Sequence, residues 1–127
     1  MSRFPFNPKQ SLILCHVELV SRTVELSLKM AVDTGATYTM IPMEAAVALG
    51  CHPAHARRRI EITMGSGVEF VPIVIVPTLR AFGVAVTRLP VICHNLPTPS
   101  PVEGLLGLNF LTQAHLIIDF SANVIRS

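Results

Sequence analysis

The chain has 127 residues, of which half are hydrophobic and only 14% are charged, and its formal net charge is +2. A chain of this length supports one hydrophobic core, so we expect a single domain over residues 1–127, with residues 1–11 as an N-terminal arm. Soluble domains usually carry about 25% charged residues. The low fraction of charged residues predicts strands that are buried on both faces, or an apolar surface that a second copy of the chain covers.

The apolar composition does not predict a membrane span or an exported protein. Residues 12–32 are the most hydrophobic stretch, but they include four charged side chains, which a helix in about 30 Å of hydrocarbon would not tolerate. Pro5 and Pro8 interrupt the segment where a signal peptide would have its apolar helix. Three cysteines without scaffold spacing favour a reducing compartment, and we expect a cytoplasmic protein.

Nucleic-acid and metal binding are also disfavoured. Residues 57–59 form the only run of arginines, and because no aromatic residues interleave with it, we interpret it as a solvated loop that leads into a strand. Cys-His dipeptides begin at Cys15, Cys51 and Cys93, and residues 51–55, Cys-His-Pro-Ala-His, could suggest a zinc ligand set. Neighbouring residues of a strand point to opposite faces, so the pairs at Cys15 and Cys93 cannot chelate as units, and we disfavour metal binding. No local arrangement favours one thiol as a nucleophile. We expect no metal, no other cofactor and no nucleic-acid partner.

The first half of the chain predicts strands joined by turns. Residues 12–20 and 24–32 are apolar runs that predict a hairpin. Small polar residues then break the pattern until residues 38–41 resume it. Residues 42–50 predict a short helix, with a proline near its start and a glycine just past its end.

A second hairpin is predicted from residues 59–64 and 68–76, joined by Gly65-Ser66-Gly67 and ended by Pro77. The rest of the chain predicts short strands, a proline-rich loop and one helical turn, at residues 84–87, 89–93, 95–103 (the loop), 104–107, 109–113 (the turn), 115–120 and 122–126. Many short strands separated by turns predict an all-β barrel or sandwich.

Asp33 is the residue whose neighbours most clearly indicate a catalytic role, since it follows an apolar strand and begins Asp-Thr-Gly. Such a loop suits a pair of carboxylates that share a proton: one takes a proton from water and the other donates to the scissile carbonyl. Gly35 would let the backbone approach a symmetry mate, and the Thr34 hydroxyl could bond across to the other copy. The other aspartate, Asp119, is not followed by Thr-Gly or Ser-Gly, so the pair requires two chains.

Three segments carry a resemblance to a known family. Residues 31–42, Ala-Val-Asp-Thr-Gly-Ala-Thr-Tyr-Thr-Met-Ile-Pro, resemble the active-site segment of retropepsins and their bacterial relatives. Residues 104–113 are similar to the second signature of that family, in which two apolar residues and a glycine precede a short helix after an Asn or Asp. Residues 60–76 lie where the family has its flap hairpin. The order and spacing cover nearly the whole chain from residue 12 onward.

The resemblance implies an aspartic endopeptidase with an all-β fold: a closed acid-protease barrel with one or two short helices, single-lobed and working as a homodimer. A peptide substrate would bind extended under two flaps. The implied site residues are the catalytic Asp33, its loop Thr34, Gly35 and Ala36, the flap Gly65, Ser66 and Gly67, and the structural Gly107 and Asn109.

The sequence departs from the family at two places. Thr37 and Tyr38 stand where viral members usually carry acidic residues that bind the substrate backbone, and the flap has fewer glycines. The alternative is a catalytically idle dimerisation or peptide-binding module that keeps the fold. An intact Asp-Thr-Gly favours activity, because two carboxylates buried together are costly unless protons and hydrogen bonds compensate.

Overall fold

The computed structural model describes residues 2–65 and 67–127, with Met64 described by its backbone alone. The described chain contains ten strands, two short α-helices and one turn of 3-10 helix at Pro53–His55. In chain order the elements are β1 (Arg3–Pro5), β2 (Ile13–Val20), β3 (Glu25–Val32), β4 (Thr39–Ile41), α1 (Met43–Ala48), β5 (Arg58–Met64), β6 (Gly67–Ala81), β7 (Val84–Cys93), β8 (Gly104–Leu106), α2 (Leu108–Gln113), β9 (Ile117–Asp119) and β10 (Val124–Arg126).

Six of these strands close a barrel, which confirms the predicted fold class. The main sheet has the order β2-β3-β8-β4-β7-β6-β5, and β2 also pairs with β6, so β5 extends beyond the closed ring. Alternate residues of each strand point inward. Their side chains fill the barrel with a continuous apolar core, in which Val17, Leu19, Met30, Leu106 and Phe110 are fully buried.

The two predicted hairpins are present. In the first, β2 and β3 pair from Ile13 opposite Val32 to Val20 opposite Glu25. In the second, β5 and β6 pair along the whole of β5, and the last pair is Met64 with Gly67. Both hairpins follow from apolar runs of strand length separated by a short polar or glycine-containing turn.

Two strand predictions were wrong. β6 does not end at Pro77, because β6 pairs with β5 as far as Ile73 and with β2 from Thr78. Pro77 lies in the gap between these partners, where a missing N–H removes no bond to either strand. The two strands predicted over residues 84–93 form the single strand β7, which includes Arg88 at a φ of 55°. β6 and β7 pair on both sides of Arg88, with Val76 opposite Leu89 on one side and Thr78 opposite Thr87 on the other.

The N-terminal arm contains a strand that the sequence pattern did not predict. β1 pairs antiparallel with β10, and β10 pairs in turn with β9, so a three-stranded sheet joins the two ends of the chain. Pro5 ends β1, which lies at the edge of this sheet, where proline is tolerated. The Phe4 ring packs edge-on against Phe82, at a centroid distance of 5.4 Å.

The strand order places the Asp33 segment at one end of the barrel. β8 runs between β3 and β4: it pairs parallel with β3, and its residue Leu105 pairs antiparallel with Met40 of β4. The segment 33–38 therefore connects two strands that flank β8. In the described ranges, no helix has the length and apolar character needed to cross a membrane.

Candidate active site

Asp33 is the first residue after β3, and its own loop orients it. Its backbone N–H donates to the Leu106 carbonyl at 2.9 Å, which ties the start of the loop to β8. The Gly35 N–H donates to Asp33 Oδ1 at 2.9 Å, and the Ala36 N–H donates to the Asp33 carbonyl at 3.2 Å. The carboxylate is half buried and is held by a backbone donor two residues along the chain.

Gly35 and Thr34 complete the loop. A Cβ at Gly35 would lie 3.2 Å from Asp33 Oδ1, a tight contact that would push against the carboxylate. Thr34 is exposed and lines a cavity of about 320 Å³ together with Leu12 and Phe120. The structure thus places Thr34, Gly35 and Ala36 in one tight loop after Asp33, with Thr34 beside a recess that apolar and polar side chains line.

The second signature lies directly against this loop. The Leu108 N–H donates to the Ala36 carbonyl at 2.8 Å, and the Asn109 N–H donates to the Thr37 carbonyl at 3.2 Å. Gly107 is needed for this close approach, because a Cβ there would lie 2.6 Å from the Tyr38 carbonyl oxygen. The start of α2 is therefore hydrogen bonded to the backbone that follows Asp33.

Thr39 connects the same two segments through its side chain. It is fully buried, its Oγ1 donates to Asn109 Oδ1 at 2.9 Å, and it accepts the Gly107 N–H at 3.1 Å. Asn109 Oδ1 also accepts the Thr39 N–H at 2.9 Å, and Nδ2 donates to the Pro90 carbonyl at 2.6 Å. Thr39 was not among the site residues predicted from the sequence. The signal for it is a lone hydroxyl residue in the apolar strand β4.

Gly65 and Gly67 lie at the tip of the β5–β6 hairpin, while Ser66 lies outside the described residues. A Cβ at either glycine would meet no atom within 4 Å. Gly67 has a φ of 127°, a conformation that L residues rarely adopt, whereas Gly65 does not have a left-handed φ. Of these two glycines, only Gly67 has a backbone conformation that favours glycine.

An apolar cluster joins this hairpin to the segment that follows Asp33. Its buried members come from β4, β6 and β7, and half-buried side chains from the hairpin, the proline-rich loop and β8 pack against them. We call it the hairpin cluster: Met40, Val71, Ile73 and Ile92, with Tyr38, Ile60, Ile62, Leu96 and Leu105. No pattern in the sequence predicted that these distant segments share a cluster.

Asp119 takes part in a different set of contacts. Its Oδ1 accepts the N–H groups of Ser121 and Ala122, each at 2.9 Å, and its Oδ2 accepts a hydrogen bond from the Arg126 guanidinium. These hydrogen bonds hold the pKa of Asp119 below its usual value, and the bond from the Ala122 N–H has the largest effect. The carboxylate closes the turn between β9 and β10 and forms an ion pair with Arg126.

The surroundings of the three cysteines do not activate their thiols. Burial raises the pKa of the Cys15 and Cys93 thiols to about 12, and burial also raises the pKa of Cys51. All three are free thiols. Among residues 2–65 and 67–127, no group of three or more His, Cys, Asp or Glu side chains is arranged to hold a metal ion.

The chain is similar to known aspartic proteases in sequence and in fold. Residues 24–113 match the family model described as "gag-polyprotein putative aspartyl protease", a range that contains the Asp33 loop, the hairpin and the second signature. The fold is similar to the crystal structure of a retropepsin-like aspartic protease from Rickettsia conorii, with a TM-score of 0.70 and 16% identity. That match covers 98% of this chain and 86% of the other. No curated protein matches the sequence.

The family model spans well over half of the chain. The protein therefore belongs to the gag-polyprotein aspartyl protease family and has a retropepsin-like fold.

Proposed function

We propose that the chain is an aspartic endopeptidase whose active site forms in a homodimer, with Asp33 of each copy contributing one carboxylate. The observation that carries the proposal is the Asp33 carboxylate itself, fixed through Oδ1 by the Gly35 N–H at the end of the barrel. Asp119, the other aspartate of the chain, is bonded to its own turn and to Arg126. A carboxylate pair of the Asp-Thr-Gly type thus requires a second copy of Asp33.

The chemistry of such a pair is hydrolysis without a cofactor. Two carboxylates held close share one proton, because both cannot ionise at short distance. The ionised group removes a proton from water as the water attacks the peptide carbonyl carbon, and the protonated group donates to the carbonyl oxygen. The Gly35 N–H would orient the carboxylate of its own chain. The Thr34 hydroxyl could bond across to the other copy and align the two loops.

The surface beside the loop supports a symmetric contact. Phe120 is 70% exposed and Leu12 is 37% exposed. Thr34 lines the same cavity as Leu12 and Phe120, so the apolar surface is continuous with the Asp33 loop. Exposed apolar surface of this kind is typical of an interaction site, and a two-fold axis beside Thr34 would bury it against its own copy.

The hairpin supplies the other wall of the proposed site. The half-buried members of the hairpin cluster would give an apolar floor between the hairpin and the segment after Asp33, suited to the side chains of an extended peptide. They are Tyr38, Ile60, Ile62, Leu96 and Leu105. We propose that the tip at Gly65, Ser66 and Gly67 acts as a flap that closes over the bound peptide and excludes water from the carboxylates.

Cleavage of unfolded protein by the wild-type chain and by Asp33→Asn tests this function. The amide keeps the size of the side chain but cannot take a proton from water, so cleavage is expected to fall at least about a hundredfold. Asp119→Asn is the matched control, since it makes the same change at the other aspartate. Equal cleavage by wild type and Asp33→Asn would reject the proposal. A wild-type chain that binds peptides but never cleaves them would be the idle module instead.

A further inference from the structure

One arginine of the hairpin faces the proposed substrate site. Arg58, Ile60 and Ile62 alternate along β5, so their side chains share one face of the strand. Ile60 and Ile62 pack against the hairpin cluster. The Arg58 guanidinium donates a hydrogen bond of 3.5 Å to the hydroxyl of Tyr38, a member of that cluster five residues after Asp33. Arg58 is therefore the first of three side chains on the face of β5 that lies toward Tyr38 and the segment after Asp33.

Arg58 forms no salt bridge in the part of the chain that the structure describes. No carboxylate in the described residues lies within 4.0 Å of its guanidinium. The acid on the same face of the hairpin is Glu69, which pairs with Ile62 and lies 3.5 Å from the imidazole of His94. Ile62 is four residues from Arg58, roughly 13 Å along the strand. The Glu69 carboxylate contacts His94 and forms no ion pair with Arg58.

Arg58 thus offers an exposed cation at the edge of the hairpin cluster, beside the Tyr38 hydroxyl. The neighbouring Arg59 is also exposed, but the strand alternation turns it to the opposite face, where Glu61 lies. A bound peptide would therefore meet the charge of Arg58 and not that of Arg59. A guanidinium presents paired N–H donors that match a carboxylate.

We propose that Arg58 determines specificity by binding an acidic side chain of the substrate peptide. The proposal rests on the proposed function: apolar residues of the peptide lie over the hairpin cluster, and a Glu or Asp farther along the peptide reaches Arg58. In a symmetric dimer the two copies of Arg58 lie on opposite sides of the scissile bond. The acidic preference is then expected at one position on each side of it.

A glutamate scan tests the proposal. Peptides with apolar residues at the scissile bond carry glutamate, glutamine or lysine at each of the flanking positions in turn, and kcat/KM is measured at low and high salt. At the favoured positions glutamate is expected to raise kcat/KM over glutamine about fivefold, the contribution of a good exposed ion pair. The gain should appear mainly in KM, shrink at high salt, and reverse in sign for lysine.

Arg58→Gln should abolish the glutamate preference while glutamine peptides are still cleaved. Arg59→Gln, the matched control, removes the same charge from the opposite face of β5 and should keep the preference. The binding of glutamate and glutamine peptides to the Asp33→Asn protein can be compared in the same way, and this readout does not depend on turnover. If glutamate and glutamine peptides are cleaved equally, or if Arg58→Gln keeps the preference, the specificity proposal is wrong and the protease function stands. If no peptide is cleaved or bound, the proposed function itself fails.

Discussion

The Thr39 hydroxyl donates a hydrogen bond of 2.9 Å to Asn109 Oδ1, although the two residues are 70 positions apart in the chain. The bond lies behind the Asp33 loop and joins β4 to α2. Through the Gly107 N–H and the Pro90 carbonyl it also reaches β8 and β7. The position of the loop therefore depends on a buried polar network as well as on the apolar core.

Replacing Thr39 with valine tests the network. The substitution keeps the shape but removes the hydroxyl, which leaves the Gly107 N–H and one bond to Asn109 unsatisfied in a fully buried site. The free energy of unfolding should fall by about 1–3 kcal/mol, as measured by urea denaturation. Thr87→Val, at an exposed strand position, is the control and should change the free energy of unfolding by less than about 0.5 kcal/mol. Equal effects of the two substitutions would contradict the assigned role of the network.

Gly107→Ala should displace the Asp33 loop. The added Cβ would lie 2.6 Å from the Tyr38 carbonyl oxygen and 2.8 Å from that of Ala36, so the backbone must move. We expect the free energy of unfolding to fall by about 1–3 kcal/mol and peptide cleavage to decrease in the protein that remains folded. Gly65→Ala, where the added carbon meets open space, is the control for stability. A Gly107→Ala protein with wild-type stability would show that the approach of the two segments is not tight.

Gly67→Val tests the proposed flap. The φ of 127° at Gly67 is unfavourable for a branched residue, so the substitution should distort the hairpin tip at a cost of about 1–3 kcal/mol. Turnover should fall while sedimentation still shows the oligomeric state of the wild type. Gly65→Val places the same side chain at the other tip position and should have the smaller effect. Unchanged turnover in Gly67→Val would mean that this hairpin is not the lid.

Much of the fold and of the candidate site could be predicted from the sequence, because their signals are local. Apolar runs of strand length predicted both hairpins, and the segments around Asp33 and Gly107 identified the family. The strand β1 and the continuation of β6 past Pro77 were not predictable in this way, because prolines mask a strand pattern whose partners are distant in the chain. The buried role of Thr39 likewise depends on Asn109, which no local pattern reveals.

The cysteines should be slow to react in the folded protein. Burial raises the pKa of Cys15 and Cys93 to about 12, so at pH 8 only about one thiol in ten thousand would be ionised at each. Because the thiolate is the reactive form, alkylation by iodoacetamide should be faster at higher pH and much faster after denaturation. Mass spectrometry of the digested protein measures labelling at each site. Rapid labelling of Cys15 at pH 8 with the fold intact would contradict the described burial.

The central claim is that one site is built from two copies of Asp33, and mixed dimers test it most directly. Differently tagged wild-type and Asp33→Asn chains are allowed to exchange, exchange is verified by pull-down, and the purified heterodimer is assayed. The shared-site account predicts cleavage at least about a hundredfold below wild type. It also predicts that a tenfold excess of Asp33→Asn leaves about a tenth of the wild-type activity after random exchange. A heterodimer that keeps half of the wild-type rate would show that each chain carries its own site, and the account would be wrong.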